Sequence, residues 1–271
     1  MEKKRLLYVT QELDPFTEGS ELATILSKLP KYLNANGFEI RILMPRYGAV
    51  NERRHRLHEV VRLSGMNIIV DDNDFPLVIK VTSMPDSRQQ VYFLDNEEFF
   101  KRKDLFSDEN GQSFEDNPER SAFFCKGVIE IVKKFGWPPD IILCQGWLTG
   151  LLPLYLRTLY KTEPLFSQAQ LVYAYDNTGF EKQEPSRYIQ KAMTGLLKPS
   201  DLDVFMNGES VSVHRGASFY ADGVIKGAAQ WALNPDTLGD KPQAHWETEE
   251  EALDTYLNFF RAITADTEVS Q

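Results

Sequence analysis

The chain has 271 residues, of which 42% are hydrophobic and 26% charged, and its formal net charge is -10 at pH 7. This length is enough for one large α/β domain with a substantial core. The negative charge disfavours a nucleic acid or an anionic membrane as partner, because phosphate groups repel an acidic protein. The two cysteines, Cys125 and Cys144, lie in apolar segments and are predicted to be reduced core residues. No stretch reads as a signal peptide or a membrane span, so we expect a cytoplasmic protein.

The first 45 residues predict a strand, a helix and a second strand. Residues 6–9 and 40–44 are short apolar runs typical of buried strands, and residues 22–33 between them are amphipathic. A βαβ unit of this kind implies a parallel sheet with a right-handed crossover. The loop after the first strand is where such folds bind phosphates and sugars.

The middle of the chain predicts an antiparallel excursion and then a long helix. Residues 66–70, 77–83 and 90–94 have the alternating or apolar character of strands. Residues 117–135 place apolar side chains at helical spacing, and the helix is expected to stop at Gly136, which is followed by Trp-Pro-Pro.

The remaining elements continue the alternation of strands and helices. Residues 141–144 and 171–175 read as buried strands, with a helix from 148 to about 160 between them. A final amphipathic helix is predicted near residues 247–261, followed by a frayed tail over residues 264–271.

These elements predict an α/β fold: a single Rossmann-like domain with a mainly parallel sheet. We place this domain at residues 1–233 and a C-terminal helical extension and tail at residues 234–271.

The loop after the first strand carries Glu12, Pro15 and Phe16, and Leu22 follows in the predicted helix. This spacing resembles the opening of bacterial glycogen synthases and plant starch synthases, where Glu-x-x-Pro-Phe precedes Lys-x-Gly-Gly-Leu. Further positions resemble the family in the right order up to about residue 227. They are residues 44–48, Asn117, Arg120, Phe123, residues 139–140, Trp147, residues 153–156, Asn177 and residues 220–222.

The resemblance implies a fold and an activity. Members of this family are retaining glucosyltransferases with two Rossmann domains, the GT-B arrangement, and they move glucose from ADP-glucose or UDP-glucose to an α-1,4-glucan. The chain then resembles the N-terminal half, which supplies the acceptor side of the cleft. We expect most of the donor site, which the family's C-terminal domain provides, to be missing.

The first loop departs from the family pattern. Glu18 stands at the family's lysine, and Ser20 and Glu21 stand at its paired glycines. Carboxylates at this point would repel the diphosphate of a nucleotide sugar. The alternative is that they complement the dipole at the start of a helix.

Two strand ends depart from the family as well. Gln145 and Gly146 replace the His-Asp of its His-Asp-Trp motif, and Asp176 replaces the His of its His-Asn pair. Gln145 can form hydrogen bonds but carries no charge. Trp147 is either a platform for sugar or a core residue at a helix start. Asp176 is either a ligand for hydroxyl groups or an ordinary loop or capping residue.

The candidate ligand-binding residues share a position after strand ends, at the carboxyl edge of the sheet. They are Phe16, Gly19, Gln145, Trp147, Asp176 and Asn177. No catalytic residue is assigned. No metal-binding spacing or cofactor fingerprint occurs, so neither a metal nor a cofactor is predicted. The basic stretch 51–62 is either a solvated loop or a phosphate-facing patch, and His214 is expected to be solvent-exposed.

The sequence supports three hypotheses on function. In the first, the chain has glucosyltransferase ancestry and handles α-glucan or nucleotide sugar, but is impaired as a stand-alone catalyst. In the second, it is a non-catalytic regulatory module that binds glucan, a protein partner or a second copy of itself through the exposed edge. In the third, it is one half of a split transferase.

Overall fold

The computed structural model describes residues 3–17, 20–85, 87–175, 185–227 and 238–269. Its centre is a ten-stranded mixed sheet flanked by helices. Within the described part of the chain, no helix is both long enough and apolar enough to span a membrane.

The strands are numbered in chain order. They are β1 (Lys4–Thr10), β2 (Phe38–Pro45), β3 (His58–Glu59), β4 (Met66–Val70), β5 (Asn73–Ser83), β6 (Gln90–Asp95), β7 (Ile141–Gln145), β8 (Gln170–Tyr175), β9 (Met206–Asn207), β10 (Ser210–Val211), β11 (Gly223–Lys226) and β12 (Gln243–His245).

The helices are numbered in the same way. They are α1 (Glu21–Ser27), α2 (Leu29–Ala35), α3 (Glu97–Phe100), α4 (Asn117–Phe135), α5 (Leu151–Arg157), α6 (Pro185–Ala192), α7 (Val213–Tyr220) and α8 (Glu249–Val269). Short 3₁₀ helices lie at Trp147–Thr149 and Pro199–Phe205.

The main sheet has the order β12-β11-β8-β7-β1-β2-β6-β5-β3, and β4 pairs with β5. All neighbours from β12 to β6 are parallel. The prediction that residues 6–9, 40–44, 141–144 and 171–175 share one parallel sheet is therefore confirmed. The antiparallel excursion is confirmed, because β5 is antiparallel to both β4 and β6. On its other side β6 pairs in parallel with β2 and so joins the excursion to the parallel sheet.

The strands at the centre of the sheet are buried, as expected when helices cover a parallel sheet. Every residue of β7 is buried, and so are the last five of β8. Cys125, on α4, and Cys144, on β7, are free and fully buried. Burial raises the pKa of the Cys125 thiol to about 12, so it stays protonated and unreactive at neutral pH.

Three helices differ from the prediction. The helix predicted from 148 to about 160 is a 3₁₀ helix at Trp147–Thr149 followed by α5, which ends at Arg157. The predicted helix over residues 22–33 is divided into α1 and α2, because Pro30 lies in the first turn of α2 and has no N–H to continue the hydrogen-bond ladder. The last helix does not end near residue 261 but runs to Val269, so the frayed tail predicted from residue 264 is wrong for most of its length. Ile263 and Thr264 are buried against the domain, and this packing extends the helix.

The residues after 237 are integrated into the domain. Strand β12 pairs in parallel with β11 and forms the edge of the sheet. Helix α8 packs beside α1 and α2, where the Tyr32 hydroxyl donates to Asp254 and the Phe260 ring lies 6.2 Å from that of Phe38. This helix therefore covers part of the sheet that the first 233 residues would leave open.

Candidate functional site

A cleft of about 680 Å³ opens at the carboxyl edge of β1 and β2, and we call it the β1–β2 cleft. Its volume lies in the range of small-molecule sites. It is lined by Glu12, Pro15, Phe16, Ser20, Ala49, Asn51, Arg54, His55 and residues 103–108.

The loop after β1 forms one side of the cleft and is held by local hydrogen bonds. The Thr10 hydroxyl donates to the carbonyl of Glu12 at 2.8 Å, and the Leu13 N–H donates to the Thr17 hydroxyl at 3.1 Å. These bonds satisfy backbone groups that the buried loop would otherwise leave unpaired.

Phe16 is held by packing within this loop. Its ring meets His55 edge-on with centroids 4.9 Å apart and meets Phe93 at 5.1 Å. Only 3% of Phe16 is exposed, so it lines the cleft as part of the core.

Ser20, at one of the family's glycine positions, closes the start of α1. Its hydroxyl donates to Glu12 Oε1 at 2.8 Å, and its N–H donates to Glu12 Oε2 at 3.3 Å. The same hydroxyl oxygen accepts a hydrogen bond from the Ala23 N–H at 3.2 Å and so caps the helix. The Glu12 carboxylate therefore accepts both hydrogen bonds that Ser20 donates and fixes the loop against the start of α1.

Residues of the basic stretch 51–62 contribute to the cleft. Arg54 and His55 line the cleft, and the cleft is also lined by Lys103, Asp104 and Asp108. Burial and the neighbouring Arg54 charge lower the pKa of His55 below its usual value. A neutral imidazole can both donate to and accept from hydroxyl groups, so the cleft combines neutral and charged hydrogen-bonding groups.

The wall over residues 103–108 is anchored to the loop after β2. The Gly48 N–H donates to the carbonyl of Arg102 at 2.8 Å, and a Cβ at Gly48 would lie 2.0 Å from the carbonyl oxygen of Lys101. Arg102 also forms a two-point ion pair with Asp116 and lies 4.2 Å from the centroid of the Phe114 ring. Only a glycine permits this close approach of two backbone segments.

Gln145 ends β7 and is almost completely buried, with 3% exposure. Its Oε1 accepts a hydrogen bond of 3.0 Å from the hydroxyl of Tyr256 on α8. Its Nε2 is buried without a hydrogen-bond partner among the described residues. The side chain therefore lies beneath α8 and is not part of the cleft lining.

Gly146 and Gln11 fit together beside Gln145. Gly146 has a φ of +84°, and a Cβ there would come within 2.4 Å of the Gln11 side chain. Gln11 Oε1 accepts a hydrogen bond from the Leu148 N–H at 3.2 Å, and the backbone carbonyl of Gln11 accepts one from the Tyr47 hydroxyl at 2.8 Å. Sequence reasoning missed Gln11, because nothing in its neighbourhood along the chain indicates this long-range contact.

Trp147 begins the 3₁₀ helix after β7 and is 3% exposed. Its ring meets Phe106 edge-on with centroids 5.1 Å apart, and Phe106 lines the cleft. Phe106 therefore lies between Trp147 and the cleft. Of the six candidate residues, Phe16 lines the cleft and Gln145 and Trp147 lie behind its edge. The other three, Gly19, Asp176 and Asn177, lie outside the described residues.

His214 was expected to be exposed, and this prediction is wrong. The residue is 4% exposed, and its Nδ1 lies 2.8 Å from the Tyr173 hydroxyl. The Tyr175 ring stacks on its imidazole at 5.2 Å, so α7 places it in the core against β8. Across the described ranges, no cluster of three or more His, Cys, Asp or Glu residues could hold a metal ion.

The parallel sheet with a cleft at its carboxyl edge defines the class of protein. The fold matches the catalytic domain of starch synthase IV from Arabidopsis thaliana, solved with bound ADP and acarbose, with a TM-score of 0.69 and 19% sequence identity. The match covers 82% of this chain and 44% of that one. The chain thus has the Rossmann-like α/β fold of one half of a GT-B glycosyltransferase.

The family follows from sequence comparison. The model of the starch synthase catalytic domain family matches residues 5–230. The glycogen synthase of Chlorobium limicola is 39% identical over 219 residues, which are 80% of this chain and 44% of that protein. The glycogen synthase of Chlorobaculum tepidum is 42% identical over 188 residues, 69% of this chain and 38% of that protein. The chain belongs to the starch synthase catalytic domain family, confirming the resemblance, and spans less than half the length of these relatives.

Proposed function

We propose that the chain binds α-glucan in the β1–β2 cleft and, by itself, does not transfer glucose at rates typical of its family. The observation that carries this proposal is the environment of Gln145. This residue replaces the family's histidine, is buried beneath α8, and has its Oε1 bonded to Tyr256. A group in that position cannot reach a sugar in the cleft.

The composition of the cleft supports a neutral sugar as ligand. His55, Asp104 and Asn51 offer hydrogen-bonding groups, and the partly exposed Leu105 and Phe106 offer apolar surface. Sugars require both, because each ring has apolar faces and a rim of hydroxyl groups.

Gln145 stands where the family has a histidine, so this chain lacks one polar group of the family's reacting centre. Removing one preorganised electrostatic group from an active site commonly slows a reaction by about 100- to 1000-fold. Gln145 carries no charge at any pH, so it cannot replace a histidine in stabilising charge at the reacting centre.

The first experiment measures transfer. The purified chain is incubated with labelled ADP-glucose and glycogen, and the Chlorobium limicola glycogen synthase is assayed in parallel as a positive control. We expect incorporation at background for this chain. Steady incorporation at rates comparable with the control would overturn the catalytic part of the proposal.

The second experiment measures glucan binding. Maltotriose is titrated into isotope-labelled protein, and we expect NMR shifts clustered at His55 and residues 103–108. The dissociation constant should be millimolar to high micromolar, roughly 4 to 6 kcal/mol, because an open cleft desolvates the sugar only partly. Asp104→Asn should weaken binding several-fold. Asp203→Asn, at an exposed position outside the cleft, is the matched control.

Two outcomes would contradict glucan binding. One is the absence of shifts at tens of millimolar maltotriose. The other is concentration-dependent dimerisation with shifts at the cleft in the absence of sugar, which would favour the partner-binding hypothesis.

A further inference from the structure

A second cleft, of about 560 Å³, lies near the start of β2 and β6, at the opposite edge of the sheet from the β1–β2 cleft. We call it the α2–β6 cleft. It is lined by Lys31, Asn34, Ala35, Glu39, Ile40, Arg41, Ser83, Ser87, Arg88, Gln89 and Gln90.

The charge of this cleft contrasts with that of the whole chain. Among the residues that the structure describes, Lys31, Arg41 and Arg88 line it together with one carboxylate, Glu39, in a protein of net charge -10. Among the described residues, none of the three cations forms an ion pair with a carboxylate within 4.0 Å. Three cations without ion-pair partners in one concave surface favour an anionic ligand.

Arg41 is held in place for such a ligand. Its guanidinium carbon lies 4.7 Å from the ring centroid of Phe135 and 4.6 Å from that of Trp137. These cation–π contacts orient the planar group without neutralising its charge. Burial lowers the pKa of Arg41, while Tyr92 and Glu39 act in the opposite direction and Arg5 and Arg62 add smaller lowering effects. A bound anion would offset the cost of burying this charge.

The remaining lining residues indicate what the anion is attached to. The described residues of the lining include no aromatic side chain, so they offer a nucleobase no ring on which to stack. It offers instead the hydroxyls of Ser83 and Ser87 and the amides of Gln89 and Gln90. Gln89 is nine-tenths buried, and its Oε1 has no hydrogen-bond partner in the described part of the chain. Such groups suit the hydroxyls of a small polyol.

We propose that the α2–β6 cleft binds a sugar phosphate, with the phosphate held by Lys31, Arg41 and Arg88 and the sugar hydroxyls by the polar side chains beside them. This site is separate from the β1–β2 cleft and shares no lining residue with it.

The test is calorimetric titration of the full chain with glucose 1-phosphate, glucose, inorganic phosphate and AMP at low salt. Glucose 1-phosphate should bind most tightly, since it alone fits both parts of the cleft. Arg88→Gln and Lys31→Gln should each weaken it about tenfold or more, the effect of one lost charge-assisted hydrogen bond. Arg53→Gln and Lys161→Gln remove the same charges at exposed positions outside the cleft and should leave its affinity unchanged.

Several outcomes would overturn the proposal. They are the absence of glucose 1-phosphate binding at millimolar concentration, tighter binding of AMP, equal binding of inorganic phosphate, and equal losses in the control variants. Displacement of glucose 1-phosphate by maltotriose would place it in the β1–β2 cleft and would also overturn the assignment. If Arg88→Gln fails to fold, Lys31→Gln, on the exposed surface of α2, decides the test.

Discussion

The hydroxyl of Tyr256 donates a hydrogen bond of 3.0 Å to Oε1 of Gln145, a residue 111 positions earlier in the chain. Both residues are buried, Tyr256 at 1% and Gln145 at 3% exposure. This bond ties α8, the last helix, to the carboxyl end of β7. The position that resembles the family's histidine is therefore part of the packing of α8.

We expect Tyr256→Phe to destabilise the fold by about 1–3 kcal/mol, because the buried side-chain oxygen of Gln145, Oε1, loses its hydrogen-bond donor. Urea unfolding followed by circular dichroism measures the change. Tyr32→Phe is the control on the same helix interface. It removes a hydroxyl that donates to Asp254 at an exposed position, and should destabilise the fold less than Tyr256→Phe does. Equal losses in the two variants would contradict the special role of the buried bond.

Gly146→Ala should be strongly destabilising for two separate reasons. The backbone of Gly146, with φ +84° and ψ 167°, is a conformation that is essentially restricted to glycine and costs another residue about 1–3 kcal/mol. The clash with Gln11 adds about 1–3 kcal/mol. Gly37→Ala, with a φ of +95° and open space around its Cβ, should show a backbone cost without a clash. Adding Gln11→Ala to Gly146→Ala should remove the steric part, which a double-mutant cycle in urea would detect. An additive cycle would show that the two residues do not compete for space.

Gly48→Ala should displace the cleft wall. The new Cβ would lie 2.0 Å from the carbonyl oxygen of Lys101, and backbone atoms cannot move aside as a flexible side chain can. We expect altered NMR shifts over residues 103–108 and a several-fold loss of maltotriose affinity. A variant with native shifts in that segment and native affinity would show that the wall does not depend on this close contact.

Lys126 should make stability depend on pH. Burial lowers the pKa of its ammonium group from 10.5 to about 8. Between about pH 8 and 10.5 the unfolded chain binds this proton and the folded chain does not, so the contribution of Lys126 to stability rises with pH. Below pH 8 the buried charge is present in the folded state and this contribution is at its lowest.

The free energy of unfolding of Lys126→Met, taken relative to that of the wild type, should therefore be higher at pH 7 than at pH 10, by on the order of 1–3 kcal/mol. Denaturant unfolding at both pH values measures the difference, because all other titrating groups are shared. Lys126→Arg keeps its charge throughout this range and should lose stability relative to the wild type as pH rises. A wild-type-to-Met difference that is independent of pH would contradict the prediction.

The sequence by itself determined the central strands of the sheet and the family of the protein. The four apolar runs that became β1, β2, β7 and β8 were recognisable because a strand buried on both faces must be apolar along its length. The bounds of α4, Asn117–Phe135, were also predicted correctly, since its apolar residues recur at helical spacing and Gly136 ends it in a left-handed conformation.

Only the tertiary structure decided which side chains line the cleft. Local patterns indicate that Gln145 and Trp147 follow a strand, but not that Tyr256 covers one and Phe106 the other. These contacts join segments far apart in the chain, and they depend on the path of α8 and of residues 103–108 over the edge of the sheet. The apolar pattern of a sequence predicts where a strand ends. The exposure of the side chains at that end depends on which distant segment packs on them, and the local sequence carries no signal for that segment.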